Sequence, residues 1–216
     1  MKMSNKNMFL NKENRKNFLF IFIGSISIMV FLNLFFLIVK SEEQKPDLLR
    51  ENYMLEDTFD TGNAQENWKE TIQTQEVSCV FWNDLDKKNV ENPDYKKNII
   101  VKTIEVCGNS AVLFPNENYV KEKGYCLLGR TTAVNLFGST AVNGRNICVE
   151  GQQYCIAGVL QKQTDIVVLE SDEGKFENVS YLYHNDFDKG KNMRIIEGIC
   201  GSKMTQAVRS PDSQCK

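Results

Sequence analysis

Seven cysteines, Cys79, Cys107, Cys126, Cys148, Cys155, Cys200 and Cys215, and one histidine, His184, are the residues of this chain most suited to chemistry. A thiol nucleophile needs an adjacent base, and His184 is the only imidazole to supply one; it stands in a polar Tyr-His-Asn-Asp stretch that reads as an exposed loop. No Cys-x-x-Cys pair occurs, so neither a zinc knuckle nor a thioredoxin-like site is assembled locally. The odd count leaves at least one thiol unpaired within a monomer, and buried free thiols behave as small apolar residues. Asp186, Asp188 and Glu197 fall at positions 1, 3 and 12 of a calcium loop, but Gly190 and Lys191 stand where an oxygen ligand and a glycine are needed. Gly201-Ser202-Lys203 has the wrong order for a phosphate cradle, no Gly-x-Ser-x-Gly is present, and Asp84 and Asp86 read as surface charge beside lysines. The expectation is a chain without catalytic residues, metal or cofactor.

The segment that must position everything else is the run at 18–39, FLFIFIGSISIMVFLNLFFLIV, which carries no charge and is long enough to cross a hydrocarbon core of about 30 Å as a helix. A cleaved signal has a shorter apolar stretch and a small-residue cleavage site, so a retained anchor is expected. Lys2, Lys6, Lys12, Arg15 and Lys16 precede the run against Glu13 alone, whereas Lys40, Lys45 and Arg50 follow it among Glu42, Glu43 and Asp47. The positive-inside rule then puts the N-terminus in the cytoplasm and the remaining chain outside. Asn33 is an amide within the run, a group that gains from a partner on another helix. The net charge of −2, with both signs interspersed, leaves no face for a nucleic acid.

This gives a cytoplasmic tail at 1–17, a membrane helix at 18–39, a stalk at 40–74, one extracytoplasmic domain at 75–200 and a polar tail at 201–216. In the stalk, Leu48, Leu49, Tyr53, Leu55, Phe59, Trp68 and Ile72 suggest one or two short amphipathic helices. The domain is expected to be α+β and mostly antiparallel. Its strands are read at 77–82 and 99–106, joined by a polar loop at 83–98, then at 124–128, 146–150, 153–159 and 165–170, with weaker ones at 179–183 and 193–196. Ala133, Leu136 and Phe137 at i, i+3, i+4 predict a short helix, with Thr131 as its cap, Gly138 at its left-handed end, and Leu136 and Phe137 as core residues over the hairpin. A two-residue turn at Gly151-Gln152 would set Cys148 opposite Cys155 on the outward face of a hairpin, close enough for a disulfide if the Cβ atoms come within about 3.5–4.5 Å. Ile147, Val149, Tyr154 and Ile156 would take the inward face.

The run at 124–160, GYCLLGRTTAVNLFGSTAVNGRNICVEGQQYCIAGVL, supplies a further observation. Thr132, Ala133, Leu136, Phe137 and Gly138 make a Thr-Ala-x-x-Leu-Phe-Gly helix; Val142 and Gly144 make a turn; Ile147, Val149, Gly151, Tyr154, Ile156, Gly158 and Val159 make a hairpin ending in Gly-Val. In order and spacing this resembles the periplasmic core domain of MacB-type ABC transporter permeases, whose membrane part is FtsX-like, and GNSAVLFP at 108–115 resembles the segment before it. The resemblance implies structural rather than catalytic roles for these residues. It also implies an extracytoplasmic module that acts by contact or coupling with an integral membrane protein, an FtsX-like permease with its ATPase, with self-association left open. The chain departs from the permeases in having no run after residue 39 apolar enough to span, so it is not expected to form a translocation path alone. The alternatives are a stand-alone anchored sensor of a peptide or envelope ligand, and a thiol-dependent envelope enzyme.

Overall fold

The structure is a computed structural model that describes residues 29–30, 48–64, 67–115, 123–162, 164–209 and 211. The chain divides into two units, Met1–Asp47 and Leu48–Lys216. In the first, Met29 and Val30 are described, both helical; the rest of the expected membrane helix, the basic tail and Asn33 lie outside the described residues, as does Cys215. Among the described residues no helix is long and apolar enough to cross a membrane.

Among the described residues the second unit has nine strands: β1 (Leu49–Asp60), β2 (Cys79–Asn92), β3 (Lys97–Gly108), β4 (Tyr125–Leu128), β5 (Asn146–Val149), β6 (Gln152–Val159), β7 (Ile166–Glu170), β8 (Lys175–Tyr183) and β9 (Met204–Ala207). Three helices accompany them, α1 (Trp68–Thr74), α2 (Arg130–Phe137) and α3 (Asp186–Cys200). The strands lie in the order β3-β7-β4-β6-β5-β2-β8-β1-β9, and β2 also pairs with β3, so six strands close into a ring. Pairing is antiparallel except for β3 with β7 and β4 with β6. The α+β, mostly antiparallel expectation therefore holds.

Every strand of the ring contributes to one apolar cluster: Val90, Val101, Val167 and Leu169, Cys126 and Leu128, Ile156, Ile147 and Val149, joined by Ala133 and Leu136 of α2. β2 belongs both to the ring and to the part of the sheet that extends beyond it. Its first residues, Cys79–Trp82, pair with β8, and Val90 and Glu91 near its end pair with β5; a bulge between Asp84 and Lys87 separates the two halves. From β8 the sheet continues through β1 to the edge strand β9, and α1 and α3 cover it over Leu55, Phe59, Phe81, Phe176 and Tyr181. A third cluster sets Val80, Trp82, Ile104 and Val168 against Val112, Leu113 and Phe114, which follow from the 3-10 turn at Ser110–Val112.

Five sequence expectations are corrected. Among its described residues, the stretch read as amphipathic stalk helices is mostly β1, because Tyr53, Leu55 and Phe59 recur at even spacing and pack under the helices; of those residues α1 alone is helical. The polar loop at 83–98 is two strands meeting in a tight turn. Its polarity reflects a solvated outer face, with Lys102 Nζ 2.8 Å from Asp84 Oδ2 across the pair. Residues 193–196 lie in α3, where Met193, Ile196 and Cys200 share one face on the core. Past Cys200 the chain is not wholly tail, since β9 pairs with β1. The cap of α2 is Gly129, not Thr131, although Gly138 does end the helix in the left-handed conformation (φ 71°).

Candidate functional site

The helix–hairpin unit is held at both ends of α2. At its start the chain passes so close to the segment before β7 that a Cβ on Gly129 would lie 2.2 Å from the Thr164 carbonyl oxygen. Gly129 N donates to Ile166 O (2.8 Å), Thr131 N to Thr164 O (3.2 Å), and the buried Thr132 Oγ1 to Asp165 Oδ1 (3.0 Å). At the other end the last carbonyls of a helix lack intrahelical donors. Here the β2–β3 turn supplies them: Asn92 Nδ2 donates to Leu136 O (3.1 Å) and Lys97 Nζ to Asn135 O (3.4 Å). Asn92 itself is buried, and its Oδ1 accepts from Asp94 N at 3.0 Å, so one side chain shapes the turn and ties it to the helix.

Of the motif residues, Thr132, Ala133 and Leu136 are fully buried, whereas Phe137, expected in the core, is half-buried. Its ring carries the Arg145 guanidinium at 5.9 Å, and the same guanidinium lies 6.0 Å from the Tyr95 ring and donates to Tyr95 Oη at 3.3 Å. Gly144 N donates to Ile156 O at 2.7 Å with φ 78°, and Gly158 sits at the register shift between β4 and β6. Leu136 meets the hairpin through the shared cluster, but α2 itself packs on β2, β3 and β7 rather than on the hairpin alone.

The hairpin register also differs from expectation. The turn is Glu150-Gly151, with φ 49° and 89°, the two positive values of a type I′ turn. Cys148 therefore pairs with Gln153 and Cys155 with Asn146, and both thiols are free. The facing is unchanged: Ile147, Val149 and Ile156 are buried, while Tyr154, Cys148 and Cys155 are half-buried. Burial pushes the Cys107 and Cys200 thiols up to about 12 and those of Cys79 and Cys126 higher still, the opposite of what activates a nucleophile. His184 is exposed between β8 and α3. Asp186 and Asp188 form the first turn of α3, capped by Asn185 Oδ1, which accepts from Asp188 N at 3.0 Å; the calcium-loop spacing is thus helical. Among the described residues no cluster suits a metal ion.

Two surfaces stand out among the described residues of this region. One is a cleft of about 340 Å³ beside α1, lined by Trp68, Lys69, Gln73, Glu170 and Asp172, where the Lys69 ammonium sits 5.5 Å from the Trp68 ring centroid and 3.4 Å from Asp172 Oδ1. The other is the end of the ring around the β2–β3 turn and α2. It exposes Tyr95 (55 %), Ile100 (70 %) and Val134 (46 %), three large apolar side chains in a region otherwise polar. Both β1 and β2 start beside the last residues of β8, so this end lies at the far end of β2 from Leu48, where the chain enters the unit. Sequence reasoning missed Gly129, Asn92 and Arg145, because the partner that gives each its role is distant in sequence.

The sequence matches no family model and no curated protein. The fold, however, matches solved structures. One is the extracellular domain of the noncanonic ABC-type transporter YknZ from Gram-positive bacteria, at 13 % identity and TM-score 0.52, over 76 % of this chain and 100 % of that one. Another is the periplasmic region of MacB from Actinobacillus actinomycetemcomitans, at 8 % identity and TM-score 0.53, over 76 % of this chain and 90 % of that one. The MacB-type fold expected from residues 124–160 is thereby found over 76 % of the chain.

Proposed function

We propose that this protein is a membrane-anchored extracytoplasmic module of an ABC-transporter system, working by contact with an FtsX-like permease and its ATPase rather than by catalysis. The observation that carries the reading is the extent of the likeness: the match takes in the whole of one transporter's extracellular domain. A fold shared at that length without close sequence kinship speaks for the kind of module, and the functional surface has to be argued from this chain. That surface is the end bearing Tyr95, Ile100 and Val134. It is braced by Asn92 and Arg145, so it offers apolar contact area at low ordering cost. The uncharged run at 18–39 supports anchoring, and the lysines and arginines before it support an outward-facing domain. Raised thiol pKa values weigh against a thiol-dependent enzyme.

A photo-crosslinking residue at Tyr95, activated in intact cells and followed by mass spectrometry, tests the reading. The expected adduct is with a component of an ABC-type system. An adduct with the protein itself and nothing else would favour a self-associating anchored sensor and overturn the transporter reading.

A further inference from the structure

The end of the second unit opposite Tyr95 carries its own apolar side chains. Leu48 (50 % exposed) precedes β1, Leu49 (47 %) opens it, and Phe187 (75 %) stands in the first turn of α3. They belong to one end of the fold: Leu49 pairs with Tyr183, the last residue of β8, and α3 begins three residues later. α3 is fixed there, because Lys189 Nζ lies 2.8 Å from Glu51 Oε1 and 5.6 Å from the Tyr183 ring centroid, while Asn192 Nδ2 donates to Leu182 O at 2.9 Å. Phe187 is thus presented on a rigid element and left exposed among the described residues.

We infer that this end rests in the interfacial layer of the bilayer, with Phe187, Leu48 and Leu49 among the lipid headgroups. The inference rests on the anchored reading above. Eight residues, 40–47, separate the apolar run from Leu48, and fully extended they reach about 30 Å at most, which keeps this end close to the membrane surface. Aromatic and aliphatic side chains presented on a helix that lies along a membrane enter the headgroup layer, where an aromatic ring is favoured. The charges around Phe187 are mixed: Asp186 and Asp188 against Lys189 and Lys191, with Glu51 paired to Lys189. The lipid implied is therefore zwitterionic, without a requirement for anionic headgroups. With this end down, the Tyr95 end points away from the membrane.

The full chain in phosphatidylcholine vesicles, with Phe187→Trp or Tyr95→Trp, tests this. The native Trp68 and Trp82 are buried in the second unit and give a constant background. With dibrominated lipid, Phe187→Trp is expected to lose at least twofold of its added fluorescence, and Tyr95→Trp none. A chain that floats with the vesicles but whose Phe187→Trp is unquenched overturns the lipid contact and leaves the anchor standing, and crosslinking between copies there would assign the surface to self-association. A chain that does not float overturns the anchored reading itself, and this inference with it.

Discussion

At the scale of single residues, two glycines flank α2 for different reasons, and substitution separates them. A Cβ at Gly129 would meet the Thr164 carbonyl oxygen at 2.2 Å, whereas a Cβ at Gly138 meets nothing within 4 Å and suffers only the positive φ of 71°. Gly138→Ala should cost about 1 kcal/mol, and Gly129→Ala should cost more, about 3 kcal/mol, because backbone has to move. Urea denaturation of the two variants reads the difference. The buried thiols make a second prediction. The folded protein holds the protons of Cys79, Cys107, Cys126 and Cys200 more tightly than the unfolded chain, whose thiols titrate near 8.5. Their stabilisation is complete below that value and is lost as pH rises towards about 12, at up to roughly 1.4 kcal/mol per pH unit for each thiol. The urea midpoint should therefore hold steady up to about pH 8 and fall between about pH 8.5 and pH 10, less steeply in Cys126→Ala. Gly138, Gly144 and Gly151 were legible in the sequence because turn chemistry is local. Gly129 was not, since Thr164 lies thirty-five positions away, and the hairpin register slipped because Glu150, an ordinary residue, takes the first positive-φ position.

At the scale of elements, α2 is the piece whose packing is most exposed to test. Leu136 is fully buried among Val149, Ile147 and Val167, so Leu136→Ala should cost about 2–5 kcal/mol. Phe137 is half-buried beneath Arg145, and its removal should cost less than the roughly 3–5 kcal/mol of a core phenylalanine. Equal losses in melting experiments would place Phe137 in the core after all. The helix and the strands of the ring could be read ahead of the structure because their apolar residues keep a clean local period. β1 could not: Leu49, Tyr53, Leu55 and Phe59 suit a strand or a helix, and the choice is made by β8, more than a hundred residues on. The polar half of β2 was hidden in the same way, its strand character coming from the eight positions between Asn83 and Asn92 that pair with β3 rather than from its own composition. A buried chain of hydrogen bonds, Trp82 Nε1 to Ser180 Oγ (2.8 Å) and Ser180 Oγ to Asn52 Oδ1 (2.7 Å), ties β2, β8 and β1 together across segments that looked unrelated.

At the scale of the molecule, the described fold has two ends of different character. One carries the entry of the chain with Leu48, Leu49 and Phe187; the other carries Tyr95, Ile100 and Val134 on a turn braced against α2. β2 links them, pairing with β8 near the first end and with β5 near the second, so a push at either end acts on one continuous strand. That continuity supplies a mechanical basis for the module proposed above. The most direct test of this account is affinity purification of the full chain from membranes solubilised in mild detergent, with quantitative mass spectrometry of what accompanies it. The account predicts a multispan permease and an ABC-type ATPase at stoichiometric amounts, reduced by charge substitution at Tyr95. Recovery of the chain alone, or with itself only, would contradict it.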